Sequence, residues 1–270
     1  MGALSPTRRS TEATAAEAEA AESAAEAAAE STAEAPTELS LGQGGGEARR
    51  GSGGRSRWET LRAGARAGCY TVEAKIGEGG TCEVYCARGD DGVRVALRAP
   101  RRSILEMCPA FGDRLVLTSL WLRHVEHPNL VRVFDHGVTE EADPRAFQAV
   151  ELVEGEGLDS LLARSGGQPW RWVVTVIAQI ADALQAIHRA GYVHCDVKPA
   201  NVMLCRGSEE APRVKLLDCD LAWRIGAPKE PGVAPGTPRY LPPELALGVR
   251  PTPHTDVYAL GVMAFELLLG

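Results

Sequence analysis

The order of its periodic segments is the feature that most constrains the fold of this 270-residue chain. Short runs of alternating or apolar character, bounded by glycine and polar residues, come first and predict strands. A long helix follows them, which Pro169 opens and Gly191 ends. Strands before helices predict an α+β fold with two lobes, the first rich in β-structure and the second helical. The predicted strands lie at 70–76, 82–87, 93–97, 130–134, 146–153, 202–204 and 214–217.

Two further segments have helical spacing, at 115–125 and 256–269. The second segment is apolar around most of its circumference, and such a helix needs to be buried. Only Gly270 follows it, so we expect the helical lobe to be truncated in this chain.

The first 56 residues have low complexity, with an acidic part rich in alanine and glutamate and then a part rich in glycine, arginine and serine. The glutamates have no lysine partners four residues away, and no apolar stripe accompanies them. A disordered acidic tail or a fraying helix fits this pattern, followed by a flexible linker. A segment that binds a partner is the alternative. The predicted domains are a tail and linker at 1–56 and a folded domain at 57–270, with lobes at about 69–153 and 154–270.

The overall composition narrows the class of protein. A net charge of −7 disfavours nucleic-acid binding, which needs a basic surface. The longest apolar run, 257–269, is too short for a membrane span and contains Glu266. The seven cysteines include no C-x-x-C pair and no apolar signal region begins the chain, so we expect reduced thiols in the cytoplasm. We therefore predict neither a nucleic-acid partner nor a membrane segment in this chain.

Residues 193–204 carry the strongest chemical pattern, in a loop between the long helix and a strand. Phosphoryl transfer to a hydroxyl needs an acceptor for the hydroxyl proton, a cation near the transferred phosphate and a metal ligand. Asp196, Lys198 and Asn201 supply these three groups in that order. A surface loop that holds the same residue types by chance is the alternative.

Four other segments accompany that loop. The glycine-rich turn within 76–85 lets backbone amides approach a phosphate, although an ordinary hairpin would have similar glycines. Asp218 ends an apolar strand, as a magnesium ligand often does. The segments 236–244 and 256–261 complete the series.

In this order and spacing, the segments from residue 70 to residue 270 resemble the protein-kinase family, most closely its bacterial serine/threonine branch. The resemblance implies a two-lobed fold with ATP and Mg²⁺ in the cleft, a hinge at 151–153 and a protein substrate with a serine or threonine acceptor. It implies catalytic roles for Asp196, Lys198 and Asn201, and metal ligation by Asn201 and Asp218. The residues that it implies around the nucleotide are Ile76, Gly77, Gly79, Val84, Ala96, Arg98, Glu151, Val153 and Asp218.

Two positions of the usual ion pair depart from that family. Arg98 stands where the family has a strand lysine, and Thr118 stands where it has the helix glutamate that pairs with this lysine. Arginine keeps the charge, but its planar fork is not equivalent to an ammonium as a phosphate contact. Because Asp196, Lys198, Asn201 and Asp218 are all present, the chain is predicted to be an active but slow serine/threonine protein kinase. The alternative, which Arg98 and Thr118 favour, is an ATP-binding pseudokinase that acts as a signalling scaffold. Its oligomeric state stays open, and a fragment that folds poorly is a third possibility.

The metal-binding and regulatory segments also depart from the family. Its Asp-Phe-Gly sequence reads Asp218, Cys219 and Asp220 here, which predicts a gap at the cysteine and a stiffer loop at the second aspartate. Cys195 replaces the arginine that grips a phosphorylated activation loop, and hydroxyl residues between 218 and 244 are confined to the substrate-side motif. We therefore expect no switching by activation-loop phosphorylation, and we expect both cysteines to act as small buried apolar residues.

Overall fold

A six-stranded antiparallel sheet forms the first lobe in the computed structural model, which describes residues 61–207, 211–227 and 236–270. Its strands are β1 (Arg66–Ala67), β2 (Tyr70–Glu78), β3 (Cys82–Gly89), β4 (Arg94–Pro100), β5 (Val133–Val138) and β6 (Ala146–Glu151). They lie side by side in the order β1-β2-β3-β4-β6-β5, and every neighbouring pair is antiparallel. The predicted tail and linker lie outside the described residues.

Two helices, α1 (Arg102–Met107) and α2 (Phe111–Leu122), connect β4 to β5. The helix predicted at 115–125 is confirmed, but it begins four residues earlier and ends three residues earlier. The prediction missed α1 because this helix has no buried residue and therefore no apolar period to detect. Near the end of α2, the ring of Trp121 stacks on the ring of Tyr192 in the second lobe, with centroids 3.9 Å apart and planes 9° apart.

The second lobe is mainly helical, as predicted, so the α+β two-lobed architecture is confirmed. Its helices are α3 (Leu158–Ser165), α4 (Trp170–Arg189), α5 (Pro243–Ala246) and α6 (Pro253–Leu269). Its strands are β7 (Gly155–Gly157), β8 (Tyr192–Val193), β9 (Val202–Cys205), β10 (Val214–Leu216) and β11 (Trp223–Arg224). They form a three-stranded sheet, β10-β9-β7, and a two-stranded ribbon, β11-β8. Helix α4 packs against α6 and β8, which fixes the loop that follows β8.

Local sequence explains the long helix. Pro169 lies just before its first residue, and Gly191 follows its end with φ 87, a left-handed conformation that glycine adopts without a steric penalty. Buried residues recur along one side of α4 and join a core cluster that includes residues of β9, β10 and α6. The predicted helix at 256–269 begins three residues earlier, where Thr252 and Thr255 form a reciprocal cap.

Two sequence predictions need correction. Strand β5 begins at Val133, since Leu130 forms a single bridge with Leu216 of β10 instead. Strand β6 ends at Glu151, so the last two residues of the predicted strand belong to the connection between the lobes. Helix α6 buries one side, and Phe265 on its other side is exposed, which agrees with the expectation that this apolar helix lacks cover among the described residues. No helix within the described ranges is both long enough and apolar enough to span a membrane.

Candidate active site

The loop after β8 gathers three predicted catalytic residues around one carboxylate. Asp196 is buried, and its Oδ2 accepts hydrogen bonds from Lys198 Nζ at 2.6 Å and from Asn201 Nδ2 at 2.9 Å. Its Oδ1 accepts a hydrogen bond from Thr237 Oγ1 at 2.6 Å, and Lys198 Nζ also donates to that hydroxyl at 2.9 Å. The carboxylate is therefore oriented from three sides, and one of its oxygens already accepts a hydrogen bond from a threonine hydroxyl.

A second buried carboxylate, Asp256 in the first turn of α6, fixes the backbone of this loop. Its Oδ2 accepts the backbone N–H of His194 at 2.9 Å, and its Oδ1 accepts the backbone N–H of Cys195 at 2.9 Å. His188 Nε2 also lies 2.7 Å from Oδ2. Cys195 has φ 66, a left-handed conformation that costs a residue with a side chain on the order of 1 kcal/mol or more. Asp256 thus holds a strained backbone immediately before Asp196.

The predicted metal ligands lie on two connected segments. Leu217 N donates to Asn201 O at 2.8 Å, and His194 Nε2 lies 3.0 Å from Leu217 O, so the residue before Asp218 is bonded to the catalytic loop. Asp218 has φ 55, a left-handed conformation, and is separated from the end of β10 by Leu217. The side-chain nitrogen of Asn201 donates to both Asp196 O and Asp196 Oδ2. Its amide oxygen is therefore the atom that a metal ion would meet.

Arg98 on β4 forms ion pairs with both acids of the 218–220 segment. Its Nη1 and Nη2 donate to Asp220 Oδ1 at 2.9 Å and to Asp220 Oδ2 at 2.8 Å, in a two-pronged arrangement. The same Nη2 lies 2.9 Å from Asp218 Oδ1. Burial acts to lower the pKa of Arg98, but the two carboxylates outweigh it and raise this pKa well above its usual range. The guanidinium is therefore a fixed positive charge.

A neutral hydrogen-bond relay links Arg98 to helix α2. Its Nη1 donates to Gln148 Oε1 at 2.9 Å, and Gln148 Nε2 donates to Ser119 Oγ at 2.9 Å. Thr118, the position of the family's helix acid, is buried beside Ser119. Among the described residues, the acids that pair with Arg98 are Asp218 and Asp220. The departure predicted at Arg98 and Thr118 is thus accompanied by a different set of partners.

The glycine-rich turn between β2 and β3 contacts the same aspartate. Gly79 N donates to Cys82 O at 2.8 Å and closes the turn. Thr81 Oγ1 donates to Asp220 Oδ2 at 3.0 Å, and the Cys82 thiol lies 3.7 Å from that oxygen. Burial acts to raise the pKa of Asp220, but Arg98 outweighs it through charge and hydrogen bonding, so this pKa is lowered.

The sequence-based expectation for Asp220, a stiffer backbone in place of a glycine, was therefore incomplete. Among described residues other than glycine, only Cys195 and Asp218 have a positive φ, so residue 220 does not need the backbone freedom of glycine. The Asp220 side chain instead accepts hydrogen bonds from Arg98 on β4 and from Thr81 in the glycine-rich turn.

The residues predicted around the nucleotide occupy neighbouring strands. Across β2 and β3, Gly77 lies opposite Val84, and across β3 and β4, Val84 lies opposite Arg98. Ala96 is buried in the large core cluster, and Val84 and Val153 pack against this cluster. Ile76 is different, since its side chain is 52% exposed and does not belong to that cluster.

The predicted hinge is anchored from its outer side. Glu151 N donates to Arg132 O at 2.8 Å, and the Glu151 side chain accepts a hydrogen bond from Lys215 Nζ at 2.8 Å. Residues 152 and 153, which follow these anchored atoms, belong to the connection between the lobes. The predicted contact of this backbone with adenine stays a prediction.

The two cysteines that replace family residues are buried, as expected. Cys195 and Cys219 each lie in an apolar cluster, and burial raises the pKa of both thiols. Both side chains therefore act as small apolar residues in this fold.

Comparison with known protein families assigns the fold. A family model described as "Protein kinase domain" matches residues 70–270. The chain belongs to the protein kinase family. Its six-stranded first lobe, its helical second lobe and the loop that contains Asp196 are thus the parts of a kinase domain.

Curated relatives of this kinase domain include bacterial serine/threonine-protein kinases. Pkn1 of Myxococcus xanthus is 35% identical over 213 residues, which cover 77% of this chain and 30% of Pkn1. PknA of Mycobacterium tuberculosis is 34% identical over 208 residues, which cover 75% of this chain and 47% of PknA. PknL of Mycobacterium bovis is 38% identical over 210 residues, which cover 74% of this chain and 49% of PknL. The kinase domain thus matches less than half of the length of each of these relatives.

Proposed function

We propose that this kinase domain transfers the γ-phosphoryl group of ATP to a serine or threonine hydroxyl of a protein substrate. The observation that carries the proposal is the hydrogen bond of 2.6 Å from the Thr237 hydroxyl to Asp196 Oδ1. A buried carboxylate that accepts a threonine hydroxyl has the geometry that orients an acceptor hydroxyl and takes its proton. Lys198, which contacts both groups, is suited to stabilise charge on the transferred phosphoryl group.

The residues present fit Mg²⁺ and ATP. Mg²⁺ prefers oxygen ligands and is usually bound by one or two protein groups together with phosphate oxygens and water. The amide oxygen of Asn201 and the carboxylate of Asp218 would provide those protein ligands. When bound, Mg²⁺ neutralises negative charge on the phosphates of ATP. Arg98 and the backbone amides near Gly77 and Gly79 would contribute further positive potential to the phosphates.

Protein rather than nucleic acid is the proposed partner, and the cytoplasm is the proposed compartment. The net charge of −7 supports the first point, because a nucleic-acid substrate favours a basic surface. The use of ATP by the family supports the cytoplasm as the compartment. The absence of hydroxyl residues in the segment 219–236 supports control by means other than activation-loop phosphorylation.

We expect Asp196→Asn to reduce phosphate transfer by about 10²-fold or more, because asparagine keeps the size of the side chain but cannot accept the hydroxyl proton. Transfer from labelled ATP with Mg²⁺ to a generic basic protein measures this rate. Asp182→Asn is the matched control, since Asp182 is exposed on α4 and the same substitution there leaves the site untouched.

A wild-type chain that unfolds cooperatively, binds ATP with Mg²⁺ and transfers no label would overturn the proposal and leave the pseudokinase alternative. Equal rates for wild type and Asp196→Asn would contradict the role assigned to Asp196, because transfer would then not depend on this carboxylate.

A further inference from the structure

The carboxylate that pairs with Arg98 on strand β4 lies in an unusual place in this kinase domain. The family pairs this cation with an acid on the helix, but here the helix offers Thr118 and Ser119. The side chain of Asp220 is 3% exposed and its carboxylate is engaged by both terminal nitrogens of Arg98. The acid has thus moved from the helix to the segment that follows β10.

We propose that Asp220 is the positioning residue for Arg98, which it holds against the phosphate-binding cleft in place of the missing helix acid. This inference rests on the proposed function for its catalytic meaning. The pairing itself is a property of the protein without nucleotide.

The two aspartates differ in how available they are to a metal ion. The side chain of Asp218 is 28% exposed and meets Arg98 through one nitrogen, whereas that of Asp220 is 3% exposed and meets it through two. The more exposed carboxylate can turn to a metal ion, while the buried one keeps the guanidinium paired and in place. In this segment, Asp218 is therefore available for a metal ion, whereas Asp220 is committed to Arg98.

Arginine rather than lysine is required by this arrangement. Nη1 of Arg98 donates to Gln148 and Asp220, while Nη2 contacts Asp218 and Asp220. A lysine has a single nitrogen on a flexible stem and cannot match the planar fork. We therefore expect Arg98→Lys to weaken the site, although it restores the family residue.

Asp220 also connects the cation to the glycine-rich turn. Thr81 Oγ1 donates to the Oδ2 atom that Arg98 Nη2 contacts. The relay through Gln148 to Ser119 joins helix α2 on the other side of the guanidinium. One carboxylate thus positions a cation between the helix and the turn that would cover the phosphates.

The test moves the negative charge from residue 220 to residue 148. Asp220→Asn is expected to lower the unfolding temperature without nucleotide by about 6 °C or more. It is also expected to raise the KM for ATP about tenfold with a smaller change in kcat, because a positioned cation binds phosphate before and during transfer.

Adding Gln148→Glu should recover at least half of both losses, because a carboxylate there replaces an amide oxygen 2.9 Å from Arg98 Nη1. The Ser119 hydroxyl, which donates to Leu115 O at 2.8 Å, has to turn to the new carboxylate to keep the link to α2, so we expect the rescue to be partial. Asp182→Asn is again the matched control on an exposed surface. If Asp220 had a merely structural role, its loss and the rescue would change the unfolding temperature and leave the KM for ATP as in wild type.

Thr81→Val provides a milder second variant, which removes one donor to Asp220 and should raise the KM for ATP about threefold. The proposal is overturned if Asp220→Asn behaves like Asp182→Asn, or if Gln148→Glu fails to improve it. Should Asp220→Asn not fold, an unchanged KM in Thr81→Val overturns it. If every variant is inactive, the proposed function fails, while the unfolding temperatures still decide whether Asp220 pairs with Arg98.

Discussion

Asp256→Asn is expected to lower the free energy of unfolding by about 3 kcal/mol, since it removes a fully buried charge that three groups contact. One oxygen of the new amide can still accept a backbone N–H. The amide nitrogen faces either the Cys195 N–H, or the His194 N–H together with His188, and it cannot accept a hydrogen bond from a backbone N–H. The loop that carries Asp196 then loses an anchor beside the left-handed residue Cys195, so phosphate transfer should fall as well.

Urea unfolding with linear extrapolation measures this loss of stability. Asp113→Asn is the matched control, because Asp113 also lies in the first turn of a helix but is exposed. The comparison therefore removes the contribution of the helix dipole, which is about 0.3–1 kcal/mol. If both variants lose the same small amount, the hydrogen bonds to His194 and Cys195 do not stabilise the loop as described.

Glu83→Gln is expected to cost about 3–5 kcal/mol of stability, because it breaks a buried ion pair by removing one partner. Glu83 accepts hydrogen bonds from Lys75 at 2.8 Å, from Tyr85 OH at 2.7 Å and from Arg145 Nη1 at 2.9 Å. The side chain of Arg145 is 0% exposed, and its other acidic neighbour, Glu141, lies 3.6 Å away. Without Glu83, the guanidinium stays buried with much less compensation.

The same pair predicts a dependence on pH. Burial acts to raise the pKa of Glu83, but hydrogen bonds from Lys75, Tyr85 and Arg145 outweigh it, so the pKa lies below its ordinary value of 4.5. A lowered folded-state pKa stabilises the fold fully above the unfolded-state value and loses this effect as pH falls through the folded-state value. The difference in stability between wild type and Glu83→Gln should therefore be largest near neutral pH and shrink below about pH 4.5.

Glu78→Gln is the control for this substitution, because Glu78 is more exposed and shares the partner Lys75. An exposed ion pair contributes only about 0.2–1 kcal/mol, so this variant should stay close to wild type at every pH. Equal losses for Glu78→Gln and Glu83→Gln would contradict the role assigned to the buried pair of Glu83 and Arg145.

The sequence predicted the two lobes and the cluster of Asp196, Lys198 and Asn201 because both are local properties. Helical and strand periods reflect burial within one element, and the three predicted catalytic side chains lie within six residues of one another on one loop. Helix α1 escaped prediction for the same reason, since it buries no residue and so shows no period. The prediction of an altered ion pair at Arg98 and Thr118 was also confirmed.

The partners of Arg98 could not be predicted in this way. Asp220 is separated from it by 122 residues and Gln148 by 50, and neither separation has a period that reveals contact. The available signal was that Arg98 and Asp220 both depart from the family pattern. In sequence, two unrelated substitutions at these positions look the same as the replacement of a lysine–glutamate ion pair by an arginine–aspartate ion pair. Only the positions of the side chains distinguish them.

The stack of Trp121 on Tyr192 favours one way of opening the cleft over another. Trp121 lies near the end of α2, and Tyr192 lies two residues before His194, so one aromatic contact joins the two lobes beside the catalytic loop. Separating stacked rings forfeits about 0.5–1.5 kcal/mol, whereas rotation in the plane of the rings keeps them in contact. An opening of the cleft that keeps this contact is therefore a twist about the two rings, with the end of α2 as its stationary point.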